Sequence, residues 1–333
     1  MTRVVVLGTG AWGTTMAQVL CDAGQEVLMW GRNEAVVAEI NSEHTNSKFL
    51  GAQQLPSQLE ATSDIQRAFS EAEAIVLAVP AQTLRENLKT WKSIFPADLP
   101  IISTLKGIEA TTDLRMSSVI EEVLEISPDR IGLITGPNLA DELILRQPAG
   151  AVAAARNESL ANVMIELFTT SYFRVYPSTD LVGCELAGAA KSVIGIAVGI
   201  SIGLGLGENT QAMIITRGLS EVARFGKAYG ADPLTFLGLA GMGDLVASCG
   251  SPLSRNRTFG EMVGRMGSMA AAIKENAKTV EGVASAKAIL ELAHRVGVEV
   301  PIIEVVAEVV NNGLTPEKAM EQLMTVSMRA ELM

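Results

Sequence analysis

Up to about residue 178 the chain alternates between two periodicities. Short runs that are apolar at nearly every position (4–7, 27–30, 74–79, 101–105, 131–134, 151–154 and 173–176) are separated by segments such as TTMAQVLCDAG and LRMSSVIEEVLEI, whose apolar residues recur at helical spacing. A strand apolar on both faces needs cover on both faces. The alternation therefore predicts a parallel sheet with helices on either side, the doubly wound α/β class.

Beyond Ser178-Thr179-Asp180 the strand signals stop and helix follows helix. ILELAHRVG and IIEVVAEVVNNG each carry an apolar stripe and run out at Gly297 and Gly313, good stop positions. Pro233 after Asp232 and Pro316 after Thr315 read as first-turn prolines behind a capping residue. The expected organisation is an α/β domain at 1–179 and an all-α domain at 180–333. With no internal repeat or low-complexity linker the two are expected to pack together, the cleft between them being the default place for a ligand. The stretch SVIGIAVGISIGLGLG, uncharged from Ser192 to Gly207, is shorter than the ~20 residues a bilayer requires. It predicts a buried helix, with Lys191 at its edge, and no stable membrane insertion.

Composition narrows the partners. A chain of 333 residues is long enough for two cores, and 48% hydrophobic against 19% charged residues excludes a mainly disordered one. Three widely spaced cysteines (Cys21, Cys184, Cys249) form no disulfide framework. The opening MTRVVVLGTG runs into a strand without the regions of a secretory signal, so a cytoplasmic location is expected. A net charge of −11 with 4% aromatic residues argues against nucleic acid as the main partner, since phosphate neutralisation and base stacking need cations and rings. An anionic ligand must then find a local positive site in a globally negative field.

Gly8-Thr9-Gly10-Ala11-Trp12-Gly13 matches GxGxxG directly after the first strand and before a helix. In that setting Gly8 permits the tight turn, Gly10 lets the backbone approach a pyrophosphate, and Gly13 lets the helix pack closely, with the helix N-terminus facing the anion. This is the fingerprint of a Rossmann-type dinucleotide site. The acid that reads an NAD ribose would end the second strand, but that strand ends Trp30-Gly31-Arg32-Asn33. Arg32 suits a 2′-phosphate, so NADPH is favoured over NADH. The plainer alternative is a solvated arginine with mixed cofactor use.

The chain has only two histidines, His44 in the polar stretch NSEHTNS and His294 near a helix end, and both read as structural or exposed, so another proton carrier is needed. Lys191 in ELAGAAKSVIGIAVGI is the better candidate. Its helical neighbours Ala187, Gly188, Ile194 and Gly195 form a small, apolar face where a lysine is costly unless paired, and such an amine suits proton transfer. The plainer reading has Lys191 snorkelling out of a core helix. Lys106 follows the strand IISTL at a carboxyl end of the sheet, where ligands bind in open α/β folds. Asp244, in the otherwise apolar GMGD, calls for a buried cationic partner. Ser254-Arg255-Asn256 combines hydroxyl, guanidinium and amide before a helical pattern, which suits a phosphate or, equally, an ordinary capped helix start.

Together GTGAWGTTMA, AVPAQTL, STLKGIE, TGPNLADE, ELAGAAKSVIGIAVGI, GLGLGENT, ITRGLSE, TFLGLAGMGDL, SRNRTFG and VEGVASAKA resemble the bacterial NAD(P)-dependent glycerol-3-phosphate dehydrogenases, from Gly8 to about residue 290. The resemblance implies reversible reduction of dihydroxyacetone phosphate to sn-glycerol 3-phosphate, a phospholipid precursor. It also implies Lys191 as the acid/base, Lys106 as a substrate and cofactor contact, and Asp244 as the acid supporting the lysine. Arg255 and Asn256 would be the phosphate site, with Arg255 also near the cofactor. Trp12, Arg32, Ala140 and Glu281 would join Gly8, Gly10, Ala11 and Gly13 at the cofactor, and Gly136, Asn138 and Ser254 would line the substrate site. NADPH or NADH is the expected cofactor, no metal is expected, and the expected assembly is a homodimer.

The chain departs from the family's common pattern in places. TGPNLA stands where SGPSFA is usual, so an amide at Asn138 replaces a hydroxyl. Ser192 follows the lysine where Asn is common, and the loop before SRN reads CGSPL. Each change keeps a hydrogen-bonding group. The competing readings are another lysine-dependent hydroxy-acid dehydrogenase with a Rossmann and a helical domain, and a binding protein that senses NADPH without catalysis.

Overall fold

The computed structural model describes residues 1–70, 72–276 and 280–325. The chain divides into two compact units, one formed by residues 1–105 and 116–181, the other by 106–115 and 182–333.

In the first unit eight strands form one sheet: β1 (Arg3–Leu7), β2 (Glu26–Trp30), β3 (Glu60–Thr62), β4 (Ala74–Leu77), β5 (Ile101–Ser103), β6 (Ile131–Thr135), β7 (Ala149–Ala155) and β8 (Phe173–Ser178). Their order is β3-β2-β1-β4-β5-β6-β7-β8. Val4 to Leu7 and Ala74 to Leu77 are buried on both faces, which the continuous apolar runs required. Adjacent strands run parallel except at one place: β7 pairs antiparallel with β6. The expected parallel sheet is thus present, with β7 reversed against β6. The connection 136–148 contains only a one-turn helix, Ala140–Leu143, which is too little to carry the chain back to the amino end of β6. Gly136, Asn138 and Ala140 therefore sit just beyond the carboxyl end of β6.

The strand β3 carries no apolar run and was not anticipated. It is an edge strand, and the Asn41 amide bonds both backbone groups of Ala61, donating to its carbonyl at 2.9 Å and accepting its N–H at 2.8 Å. A side chain thus covers the open edge.

In the second unit the central helix is Leu181–Gly203. It is long and apolar enough to cross a membrane, yet most of it is buried inside the chain, as the glycines and Lys191 led one to expect. Close approach to the helix Arg255–Met266 is what those glycines permit. A Cβ on Gly199 would lie 2.0 Å from the Arg257 carbonyl oxygen, and one on Gly260 would lie 2.2 Å from that of Ile196. Gly297 and Gly313 terminate their helices with φ of 68° and 71°. Asp232 caps the turn beginning at Pro233, its side chain accepting the Leu234 N–H.

Candidate active site

The first unit holds one group of the anticipated residues. Gly8, at φ 130°, brings the turn so close to the next strand that a Cβ would lie 2.6 Å from the Ala78 carbonyl oxygen, and a Cβ on Gly13 would lie 2.1 Å from that of Gly8. Gly10 caps the helix Ala11–Asp22 without a side-chain hydrogen bond, and a Cβ on it would meet nothing within 4 Å. Open space thus adjoins Gly10 at the positive end of the helix, whose first turn begins with Ala11 and the half-buried Trp12. Such a cradle fits a pyrophosphate.

Arg32 is exposed beyond β2, and Asn33 caps the next helix, accepting the N–H groups of Ala35 and Val36. No acid stands at positions 30–33. Gly136 takes φ 143°. The Asn138 amide donates to the Gly150 carbonyl at 2.9 Å, which leaves its own Oδ1 buried without a hydrogen-bond partner.

The second unit holds the others. Asp244, 1% exposed, takes Lys191 Nζ on one carboxylate oxygen at 2.5 Å and Lys106 Nζ on the other at 2.7 Å. The buried acid in GMGD therefore has two cationic partners. Lys191 also donates to Ser248 Oγ at 2.6 Å. Two ammoniums against one carboxylate leave a local positive excess in a chain of net charge −11, the kind of site an anionic ligand needs. Burial pushes the Lys106 ammonium down to about 8 despite the Asp244 carboxylate, and the charge of Lys191 adds to the fall.

Asp244 is delivered by a π-helical turn, Leu239–Gly243, in which a Cβ on Gly241 would lie 2.3 Å from the Phe236 carbonyl oxygen. Ser248 was missed in the sequence, although a signal was present. Four residues after Asp244 on a helix, it shares that residue's face.

Around the start of the helix Arg255–Met266, the Ser254 hydroxyl accepts the Arg257 N–H at 3.4 Å, Arg255 is exposed, and Asn256 Oδ1 accepts the Gly282 N–H at 3.0 Å. Glu281 opens the helix Glu281–Arg295. That helix lies against the lysine helix, since a Cβ on Gly282 would lie 2.5 Å from the Ser192 carbonyl oxygen. Neither histidine joins the lysine cluster: His44 ends its helix at φ 52° and His294 is exposed in the last turn of its own.

Two family models match this chain, the NAD-dependent glycerol-3-phosphate dehydrogenase N-terminus over residues 3–161 and its C-terminus over residues 180–321. The chain belongs to this family. Among relatives of the same name, glycerol-3-phosphate dehydrogenase [NAD(P)+] of Streptomyces griseus is 49% identical over 329 residues, covering 99% of this chain and 98% of its own. That of Corynebacterium glutamicum is 47% identical over 332 residues, covering 99% and 100%. The crystal structure of glycerol-3-phosphate dehydrogenase from Coxiella burnetii superposes with a TM-score of 0.91 at 32% identity, covering 97% of this chain and 99% of that one. D-mandelate dehydrogenase shares the fold alone, at 16% identity and a TM-score of 0.61.

Proposed function

We propose that this oxidoreductase reversibly reduces dihydroxyacetone phosphate to sn-glycerol 3-phosphate with NADPH, or less readily NADH, and that it runs toward reduction in the cytoplasm to supply glycerophospholipid synthesis. The observation that carries the reading is the pair of lysines sharing the Asp244 carboxylate. Family membership adds the reaction class, Arg32 beside no acid favours the phosphorylated cofactor, and three buried free cysteines suit a reducing compartment.

The residues that would hold the cofactor are the glycine-rich turn from Gly8 to Gly13 with Ala11 and Trp12, then Arg32, Lys106, Ala140, Arg255 and Glu281. When bound, the reduced nicotinamide supplies the hydrogen and electron pair that the carbonyl carbon gains. Lys191 Nζ gives the proton that the carbonyl oxygen gains, and in the reverse direction takes it back from the hydroxyl. Asp244 and Ser248 hold that amine by two hydrogen bonds, which fixes the direction of its remaining proton. Lys106, on the other Asp244 oxygen, is a preorganised cation for the charge growing on the substrate oxygen. Arg255 and Asn256 bind the phosphate, with Ser254 ordering their turn, and Gly136 and Asn138 line the substrate.

Purified protein should oxidise NADPH when dihydroxyacetone phosphate is added, and should leave it unoxidised with 2-oxo acids. Turnover of a 2-oxo acid instead would favour a hydroxy-acid dehydrogenase. Cofactor binding with no turnover of either would leave a sensor.

A further inference from the structure

After β5 the chain enters the segment 106–115, which folds with the helices of the second unit. Ile108 and Arg115 form an isolated antiparallel bridge, and the Glu109 N–H donates to the Leu114 carbonyl at 2.9 Å, so the segment is a short closed loop. Lys106 stands at its start. Among the described residues, the ties that hold the loop besides the one from Lys106 to Asp244 include three. The Ile108 N–H donates to Ser285 Oγ at 3.3 Å, the Arg115 guanidinium pairs with Glu185, and Arg295 pairs with Asp113.

The three ties are unequal. Arg295 is well exposed, so its pair with Asp113 holds little. Glu185 and Ser285 are buried, at 5% and 0% exposure. A carboxylate at that depth is costly without a hydrogen-bonded cation, so the Arg115 to Glu185 pair resists separation once formed. Glu185 lies on the helix that carries Lys191, and Ser285 lies one turn after Glu281 on the helix Glu281–Arg295. Thus the two helices that present site residues also grip the loop that presents Lys106. A lysine side chain is a point charge on a flexible stem, and its place depends on where the backbone beneath it is held.

We propose that Glu185, acting through Arg115, and Ser285, acting through the Ile108 amide, are positioning residues that hold Lys106 on Asp244 beside Lys191. The inference rests on the reading of Lys106 as a residue that meets the substrate. Loosening the loop lets Lys106 turn toward water. Because burial is the largest cause of its lowered pKa of about 8, hydration moves the value back up.

The experiment compares Glu185→Gln, Arg115→Lys and Ser285→Ala, each alone and combined with Lys106→Ala, in the full-length enzyme with saturating cofactor. Each single variant should lower kcat/KM for dihydroxyacetone phosphate by ~10-fold at saturating cofactor. The alkaline limb of its pH profile should move upward. In the Lys106→Ala background the same substitutions should add almost nothing, because the group they position is gone. If the ~10-fold loss reappears in full in that background, or the alkaline limb does not move, Glu185 and Ser285 do not act through Lys106 and the proposal is overturned. Wild-type turnover by Lys106→Ala alone would instead remove the reading on which it rests. Ser285→Ala deletes a single hydroxyl, so the test stands even where a Glu185 variant fails to fold.

Discussion

The side-chain oxygen of Asn256 accepts the backbone N–H of Gly282 at 3.0 Å, which ties the first turn of one helix to the first turn of another. The amide's oxygen is thereby committed, and its Nδ2 is the donor left for the phosphate in the proposed site. Asn256→Asp separates the two roles. It keeps the acceptor for Gly282, and an acid in a first helical turn is favourable to the helix, but it replaces the donor with a negative charge. The expected result is a KM for dihydroxyacetone phosphate raised ~10-fold or more with the melting temperature almost unmoved. An unchanged KM would mean that Asn256 is only a strut.

Lys191→Ala removes the proposed proton carrier while leaving Asp244 its pair with Lys106 at 2.7 Å. The fold should persist and NADPH should still bind, whereas kcat should fall ~100-fold or more. Cofactor fluorescence titration with steady-state turnover checks both halves. Near-normal turnover would take Lys191 out of the mechanism.

Much of this arrangement was legible in the chain because local chemistry alone requires it. A glycine at position 8 or 13 is demanded by backbone atoms under 3 Å from where a Cβ would stand, and a lysine on a small apolar face must find a partner, as Lys191 does in Asp244. What escaped reading depends on distant or side-chain partners. The strand Glu60–Thr62 exists because β2 offers an edge and Asn41 closes the other side. The reversal of β7 depends on the shortness of the chain 136–148, not on the residues of the strand. The loop 106–115 looks in sequence like any strand-to-helix connection, and its attachment to the helical unit comes from Ser285 and Glu185, far away along the chain.

Arg32 is exposed at the end of β2, with an amide beside it and no carboxylate at positions 30–33. A charge-assisted contact with a 2′-phosphate is worth ~1.5 to 3 kcal/mol, or roughly 10- to 150-fold in affinity. Arg32→Ala should raise the KM for NADPH by a factor in that range and leave NADH nearly unchanged. Equal losses for both cofactors would show that Arg32 does not read the 2′-phosphate.

Glu221 is buried, its carboxylate accepting the Ile302 N–H at 3.0 and 3.1 Å and the Ile303 N–H at 3.5 Å. Burial raises its pKa to about 7 against those hydrogen bonds and against Arg224 and Arg217. The unfolded carboxylate titrates near 4.5, so between the two values the folded chain binds more protons than the unfolded one. Its contribution to stability is complete below the lower value and is lost as pH rises through the higher. Relative to wild type, Glu221→Gln should show a melting temperature that falls less between about pH 5 and pH 8. Parallel curves for the two proteins would show that Glu221 does not titrate in that window.

Arg255 is exposed at the first position of its helix, next to Asn256. In a chain of net charge −11 a phosphate dianion needs donors already in place, and a guanidinium offers a planar, bidentate set that an ammonium cannot reproduce. In the proposed site, binding energy gathered on the phosphate would also position the carbonyl for Lys191, so its loss should appear in kcat/KM and not in KM alone. Arg255→Lys keeps the charge and should still lower kcat/KM for dihydroxyacetone phosphate by ~10-fold or more, with little change for dihydroxyacetone, which lacks the phosphate. The ratio of the two kcat/KM values, in wild type and variant, isolates the phosphate contact from everything the substrates share. If the variant loses the same factor on both, Arg255 acts through the cofactor or the fold, and the phosphate is held by other residues.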